Sequence, residues 1–261
     1  PKADMLDKVA DKLATARRPL LWCGNGARFA GEAVGRLADM GLPVMTSWQG
    51  RGVLPEDHAL CLGGLNGTGT PLIEAWFKTV DMMLVAGSRL RGHENMDMSM
   101  ALPDRRIQID ADPTANGRTY DCEDFLCGDA AFVLEQLADR LEGRLKPEAG
   151  YAAEVVDLKV RTIAAYKDML GDYASFPDDL RAVMPRDALL VRDITLSGST
   201  WGHRLFPIYD PRNNIYPVGA AIGPGLPMGI GAAIAASDGR KVVAMCGDGG
   251  FNMSLAEPPT A

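Results

Sequence analysis

Short apolar runs alternate with amphipathic segments along the first half of the chain. The runs that predict strands are residues 19–23, 43–46, 82–86, 106–110 and, as a short fifth, 125–126. Apolar residues at helical spacing predict helices over residues 5–16, 30–40, 73–78 and 130–141. Strands that alternate with helices in this way are typical of an α/β fold with a doubly wound parallel sheet of about five or six strands. We assign this sheet to a domain over residues 1–145.

The pattern changes after that domain. Residues 146–176 are predicted to form a linker followed by a charged surface helix over 151–170. A second α/β unit is predicted over 177–261. Its expected helices are 178–184, 200–206, 226–236 and one starting at Phe251, and its expected strands are 188–191 and 241–246. With only two strands, this unit is expected to be incomplete and to expose its sheet edges.

Composition limits the classes of function. The chain has 261 residues, 47% of them hydrophobic and 23% charged, which is the profile of a globular protein with a full core. A net charge of −7 argues against a nucleic-acid partner. The sequence shows no membrane-spanning apolar run and no signal-peptide pattern. Five cysteines without close pairing predict buried, reduced thiols, and three scattered histidines argue against zinc. We therefore expect a cytoplasmic protein without membrane or nucleic-acid partners.

The segment Gly247-Asp248-Gly249-Gly250 carries the strongest chemical signal, because it directly follows the predicted strand at 241–246. Glycines there let the backbone turn sharply and approach a ligand closely. The carboxylate between them can hold a hard cation, and free N–H groups at the start of the next helix can face an anion. The sequence therefore predicts a metal-bridged diphosphate site. The alternative, a plain strand-to-helix turn capped by Asp248, stays open.

Two further segments suit the same kind of site. Residues 215–227 place a glycine-rich turn before a helix of small residues, which can pack closely on a sheet. Residues 195–200 follow the strand at 188–191 and carry several hydroxyl groups, including those of Thr195 and Ser197. Hydroxyls at such a crossing can bind phosphate oxygens, while the simpler interpretation is helix capping by Ser199 or Thr200.

In this order, the three segments resemble the cofactor domain of thiamine-diphosphate enzymes such as acetolactate synthase and benzoylformate decarboxylase. The first half resembles the middle domain of the same family, through residues 21–26, 63–67, 85–89 and 107–113. The resemblance spans nearly the whole chain.

The resemblance implies a role for each matching residue. Asp248 would be a ligand of Mg²⁺, which bridges to the cofactor diphosphate. The carbonyl of Ala220 would accept a hydrogen bond from the aminopyrimidine, and Ile222 would support the thiazolium ring, although a core position for Ile222 stays open. The implied cofactor-binding residues are Thr195, Ser197, Ala220, Ile222, Gly247, Gly249, Gly250 and Phe251.

A second cofactor comes into question because the middle domain of acetolactate synthases holds FAD. Gly24-Asn25-Gly26, Gly67-Thr68 and Ser88-Arg89 lie where such a nucleotide would bind. The chain has no Gly-x-Gly-x-x-Gly fingerprint, which makes FAD the less favoured interpretation. Arg89, Arg91 and His93 are interpreted as surface or loop residues.

The resemblance implies a thiamine-diphosphate- and Mg²⁺-dependent decarboxylase or carboligase acting on a small 2-oxoacid and assembling as a homo-oligomer. The activating glutamate belongs to a pyrimidine-binding domain that this sequence does not contain, so no catalytic residue is assigned. A second metal ligand, an asparagine, would follow Ala261. We therefore expect a truncated cofactor domain, a last helix that stops near Ala256 before Pro258-Pro259, and an inactive isolated chain. The alternatives are a non-catalytic fragment and a stand-alone FAD-binding middle domain.

Overall fold

A computed structural model describes residues 1–67, 70–90, 92, 95–96 and 98–257 of the protein. Its first unit is built on a six-stranded parallel sheet in the order β3-β2-β1-β4-β5-β6. The strands are β1 (Pro19–Cys23), β2 (Val44–Thr46), β3 (Cys61–Gly63), β4 (Met82–Ala86), β5 (Arg106–Asp110) and β6 (Asp124–Cys127). The helices around them are α1 (Ala3–Thr15), α2 (Gly31–Asp39), α3 (Pro71–Phe77), α4 (Ala130–Leu141) and α5 (Tyr151–Leu170).

Alternate strand residues supply two separate cores, one on each face of this sheet. Leu21 and Leu84 pack with helices α1, α2 and α4 on one face, whereas Trp22 and Val85 pack with α3 and α5 on the other. Every residue of β1 and β4 is buried, as expected for parallel strands covered on both sides. The predicted doubly wound sheet is therefore confirmed.

The second unit has a parallel sheet of three strands, in the order β8-β7-β9. Its elements are α6 (Phe176–Val183), β7 (Leu189–Arg192), β8 (Asn214–Ile215), α7 (Gly225–Ala235), β9 (Val242–Met245) and α8 (Asp248–Met253). The expectation of two strands was thus one short, because the two-residue β8 forms only through its pairing with β7. The expected close packing of α7 is present, since a Cβ atom added at Gly229 would lie 2.9 Å from the Cβ atom of Ala244 on β9.

Two helices of the second unit differ from the predictions at both ends. The helix expected at 200–206 is helical from residue 196 to 204 and contains a π-helical segment, Gly198–Gly202. The last helix begins at Asp248 and not at Phe251, and it ends at Met253, before Ala256. Pro258 and Pro259 lie outside the described residues.

Helix α5 is more than the predicted surface helix. Tyr151, Val155 and Leu158 on one face of it are buried, and the Tyr151 hydroxyl donates to the carbonyl of Pro19, at 3.0 Å. Its apolar residues belong to the same core cluster as Trp22 of the first unit and Leu190 of the second. One of the apolar cores of the first unit, the one that contains α5, therefore continues into the second unit.

Buried polar contacts join the loop after β2 to the second unit. The fully buried Arg51 guanidinium donates from Nη1 to the carbonyl of Gly202, at 2.8 Å, and from Nη2 to that of Phe206, at 2.6 Å. The same guanidinium pairs with the carboxylate of Glu56, which also accepts the Ile208 N–H, at 2.9 Å. These contacts fix the position of the second sheet relative to the first.

All five cysteines are free thiols. Cys23 and Cys61 are buried as predicted, whereas Cys122 and Cys246 are half-buried and Cys127 is exposed. Burial raises the pKa of the Cys61 thiol to about 12, so this thiol stays protonated at neutral pH. No helix in the described ranges combines the length and apolar character that crossing a bilayer requires.

Candidate functional site

The Gly-Asp-Gly-Gly segment forms the turn from β9 into α8. Gly247 precedes the helix in an extended conformation, and its carbonyl accepts the N–H of Phe251, at 2.8 Å. Asp248 is exposed, and a Cβ atom at Gly249 would meet no atom within 4 Å. Asp248, Gly247 and Phe251 line a small cavity of about 280 Å³. The turn therefore presents a carboxylate and an open stretch of backbone to a ligand.

Thr195 lies beside this turn. A Cβ atom added at Gly247 would be 3.4 Å from Thr195 Cγ2, so the ends of β7 and β9 meet here. The Thr195 hydroxyl oxygen accepts the Gly198 N–H, at 2.8 Å, which makes Thr195 the capping residue expected at Ser199 or Thr200. The Thr195 hydroxyl proton stays available to a second acceptor, because a hydroxyl donates once and accepts twice. Ser197 is half-buried in the first turn of the same helical segment.

The glycine-rich turn between β8 and α7 carries two of the predicted cofactor contacts. Ala220 adopts φ of 57°, a left-handed conformation that is uncommon outside glycine, and Gly223 adopts φ of 110°. Ile222 is 57% exposed, so the structure places it on the surface of the turn and not in a core. Ala220 lines the larger cleft between the two units and not the small cavity around Asp248.

Asp193 is the residue that sequence reasoning passed over. It follows β7 directly and is only 1% exposed, and its carboxylate accepts the backbone N–H groups of Ile194 and Gly223. The carboxylate also lies against Gly250. Asp193 therefore touches both the glycine-rich turn and the start of α8. An acidic residue at the end of a buried strand was the available signal, but its partners lie 30 and 57 residues further along the chain.

The acidic side chains at this edge of the sheet do not form a complete metal-binding site by themselves. Among the described residues, no three His, Cys, Asp or Glu side chains converge on one point. Asp248 is thus a single carboxylate next to open backbone. Such a donor set suits a hard cation that takes its other oxygen ligands from a phosphate or water.

The cleft between the two units has a volume of about 700 Å³. It lies at the carboxyl ends of β1 and β4, the neighbouring strands at which the strand order reverses, which is the usual ligand position in such sheets. It is lined by Asn25, Gly26, Ser88 and Arg89 from the segments proposed for a nucleotide, whereas Gly67 of those segments is not among its lining residues. Arg89 is half-buried and pairs with Asp112, at 2.9 Å. Thr68, Arg91 and His93 lie outside the described residues.

A buried cationic cluster forms the wall behind this cleft. Arg192 is fully buried, and its Nη1 lies 2.7 Å from Nδ1 of His203, while Nη2 donates to the Asn214 side-chain oxygen. The His203 ring stacks on Trp48, with centroids 4.2 Å apart. Burial, followed by the nearby charge of Arg51, lowers the pKa of Arg192 to about 9. Burial, followed by the Arg192 charge, lowers the pKa of His203 to about 2, so His203 is a neutral acceptor for the guanidinium.

The lowered pKa of His203 predicts an acid-dependent loss of stability. The unfolded imidazole binds a proton near its ordinary pKa of 6.5, whereas the folded imidazole stays neutral down to about 2. Below pH 6.5 the unfolded state therefore binds more protons, and the free energy of unfolding should fall by up to ~1.4 kcal/mol per pH unit from this group. His203→Asn keeps an acceptor for Arg192 but does not titrate, so its pH dependence should be shallower.

Urea unfolding of both proteins between pH ~4 and ~6.5 measures this difference. His58→Asn, a change at a half-exposed histidine outside the cluster, is the matched control. Equal slopes for wild type and His203→Asn would contradict the prediction.

The sequence matches two family models that define the class of this protein. The model of the central domain of thiamine pyrophosphate enzymes matches residues 6–137, which contain the six-stranded sheet. The model of their C-terminal, thiamine-pyrophosphate-binding domain matches residues 197–261, which contain the glycine-rich turn and the Gly-Asp-Gly-Gly segment. The chain belongs to the thiamine pyrophosphate enzymes, and the resemblance found in its sequence is confirmed. Thiamine pyrophosphate is thiamine diphosphate under another name.

Individual members of this family are similar to the chain over nearly its whole length. The probable 2-ketoarginine decarboxylase of Pseudomonas aeruginosa is 32% identical over the whole chain, which covers 46% of that protein. The acetolactate synthase isozyme 1 large subunit of Escherichia coli is 29% identical over 97% of the chain, and the probable acetolactate synthase large subunit of Methanocaldococcus jannaschii is 28% identical over 98%. The chain spans less than half the length of each of these relatives, since it covers 45% of both synthases.

Proposed function

We propose that this chain supplies the diphosphate- and Mg²⁺-binding part of a thiamine-diphosphate-dependent enzyme. The observation that carries the proposal is the convergence of three turns at one sheet edge. Thr195 after β7, the turn at 219–225 and Gly247–Gly250 after β9 come together there, as the contacts of Asp193 and Gly247 indicate. The match of the binding-domain model to residues 197–261 supports the same assignment.

The donors at this edge fit the proposed ligand. Asp248 would ligate Mg²⁺, and the backbone of Gly249, Gly250 and Phe251 would face the phosphates, where Gly249 leaves open space. The Thr195 hydroxyl retains a proton for a phosphate oxygen, and Ser197 is its neighbour in the same segment. Ala220 and Ile222 lie exposed on the turn, where a thiamine ring system would be held.

The reaction we propose is decarboxylation of a small 2-oxoacid, followed by protonation or by condensation with a second carbonyl compound. Relatives named as a 2-ketoarginine decarboxylase and as acetolactate synthases support this class of lyase or transferase. When bound, the cofactor supplies a ylid that stabilises a carbanion. The chain's own contribution is to hold the diphosphate and to orient the ring system. We further propose that the enzyme acts in the cytoplasm as a homo-oligomer, with domain boundaries at 1–145, 146–176 and 177–261.

A direct assay tests this function. The gene-encoded protein should release CO₂ from at least one of pyruvate, benzoylformate and 5-guanidino-2-oxopentanoate, and only in the presence of thiamine diphosphate and Mg²⁺. Release that is independent of thiamine diphosphate, or no calorimetric binding of the cofactor, would refute the proposal.

The cleft between the units favours a second candidate function, binding of a nucleotide such as FAD. Its volume of about 700 Å³ and its position where the strand order reverses favour such a ligand. Gly26 and Gly87 let the loops after β1 and β4 pack closely against each other at the edge of this cleft, because a Cβ atom at Gly26 would lie 2.8 Å from the Gly87 Cα atom. A purified protein with flavin absorbance would support this candidate, and a colourless one that does not take up added FAD would exclude it.

A further inference from the structure

The Asp193 carboxylate is bound mainly by backbone groups. Oδ1 accepts the Ile194 N–H, at 2.7 Å, and the Gly223 N–H lies 3.1 Å from Oδ1 and 3.0 Å from Oδ2. In the described part of the chain, none of the ion pairs includes Asp193. A carboxylate that is 1% exposed and lacks a cationic partner is costly to bury. This cost suggests that the carboxylate has a specific role in holding the backbone groups around it.

Two glycines pack directly against Asp193. A Cβ atom at Gly250 would lie 2.4 Å from Oδ2, and one at Gly225 would lie 2.6 Å from the Asp193 Cβ atom. The first residue of α7 and the first turn of α8 thus rest on the same side chain. Any larger residue at these two positions would push the carboxylate away from Gly223.

The turn that Asp193 binds is held from both sides. Its Gly223 N–H is bound by Asp193, while the Gly223 carbonyl accepts the hydroxyl of Ser254, at 2.9 Å. Within the same turn, Ala220 has the unfavourable left-handed conformation described above. A strained residue of this kind persists only where its surroundings fix it.

We infer that Asp193 is a positioning residue for the cofactor site. It fixes the turn at 219–225, which carries Ala220 and Ile222, relative to the start of α8, which carries Asp248. This inference rests on the proposed function, because the turn and α8 are the two parts that would hold the thiamine rings and the metal-bound diphosphate. Asp193 does not itself touch the cofactor in this assignment.

Hydrogen–deuterium exchange of the gene-encoded protein without cofactor tests the positioning directly. Asp193→Ala should raise the exchange rate in residues 219–225 by about tenfold or more, because a hydrogen bond to a charged group is lost. Asp193→Asn keeps one acceptor oxygen, so its exchange should lie between wild type and Asp193→Ala. Asp124→Ala removes a buried carboxylate of the first sheet and is the matched control. Its effect should spare residues 219–225.

Calorimetric titration with thiamine diphosphate and Mg²⁺ gives the second readout, with the same order of variants. Cofactor affinity should fall by about tenfold or more in Asp193→Ala, and Asp193→Asn should restore part of this loss.

Two glycine variants test the same contact in the exchange experiment without cofactor. Gly250→Ala should raise exchange in residues 219–225 as Asp193→Ala does, whereas Gly249→Ala should not, because the added methyl group meets open space. The comparison of Gly250→Ala with Gly249→Ala tests the contact between Gly250 and Asp193 even if Asp193→Ala does not fold.

Three results would overturn the inference. These are unchanged exchange in 219–225 after Asp193→Ala, an increase no more local than that of Asp124→Ala, and Asp193→Asn behaving no better than Asp193→Ala. Failure of the wild type to bind thiamine diphosphate would instead refute the proposed function, and the exchange data would still decide whether Asp193 fixes the turn.

Discussion

Asp248→Ala is expected to lower thiamine-dependent CO₂ release by at least about a hundredfold, since even outer-shell partners of a metal contribute 10- to 100-fold. Folding should be unaffected. Asp248 is exposed and has no ion pair within the described ranges, and exposed positions of this kind change the free energy of unfolding by about 0.5 kcal/mol or less. The loss should therefore appear in Mg²⁺-dependent cofactor binding and in turnover, with no change in the melting temperature.

Asp238→Ala is the matched control for this experiment. Asp238 is an exposed aspartate of the same unit, and it lies in the turn before β9 and pairs with Arg240, at 2.8 Å. Its replacement should leave cofactor binding near the wild-type value. The comparison needs CO₂ release at saturating thiamine diphosphate, a Mg²⁺ titration and a thermal melt of each variant. Full activity of Asp248→Ala would refute the proposed role of this carboxylate as a metal ligand.

Arg51→Met is expected to have the largest effect on stability, a loss of about 3–5 kcal/mol in the free energy of unfolding. The substitution leaves the buried Glu56 carboxylate without its guanidinium partner and removes the donors to the carbonyls of Gly202 and Phe206. A methionine side chain fills much of the same volume, so the loss reports the polar contacts and not a cavity. Because these contacts join the two units, the second sheet should also become more accessible to proteases.

Arg161→Ala controls for the loss of an arginine in general. Arg161 pairs with Asp157 one helical turn away, and both side chains are more than half exposed. Such a pair contributes only about 0.3–0.5 kcal/mol. Equilibrium urea unfolding of the two variants measures the difference. A loss for Arg51→Met as small as that for Arg161→Ala would show that the interface contacts do not stabilise the fold.

The sequence predicts best the strands whose own residue pattern favours a strand, independently of the strands that pair with them. β1, β4 and β5 match the predicted runs residue for residue. β1 and β4 are apolar runs buried on both faces, which is the usual pattern of a central parallel strand, and β5 has Ile107 and Ile109 buried at alternate positions. β3 was missed, since Cys61–Gly63 is short, ends in glycine and pairs with β2 only through an irregular register. Its strand conformation comes from the neighbouring strand and not from its own pattern.

The candidate site also contains features that the local sequence predicts and features that only the folded structure shows. Glycine chemistry located the Gly247–Gly250 turn and the turn at 219–225 without reference to the rest of the chain. The role of Asp193 depends on Gly223 and Gly250, and the environment of His203 depends on Trp48, more than 150 residues earlier. Contacts over such separations leave no periodic pattern in the sequence, so only the folded chain could identify them.

The apolar cluster that contains Trp22, Tyr151 and Leu190 has a consequence for how the chain melts. Side chains from both sheets exclude water from the same interior, so opening either half exposes the hydrophobic surface of the other. Heat should therefore unfold both halves in one cooperative step, and neither half is expected to fold stably without the other.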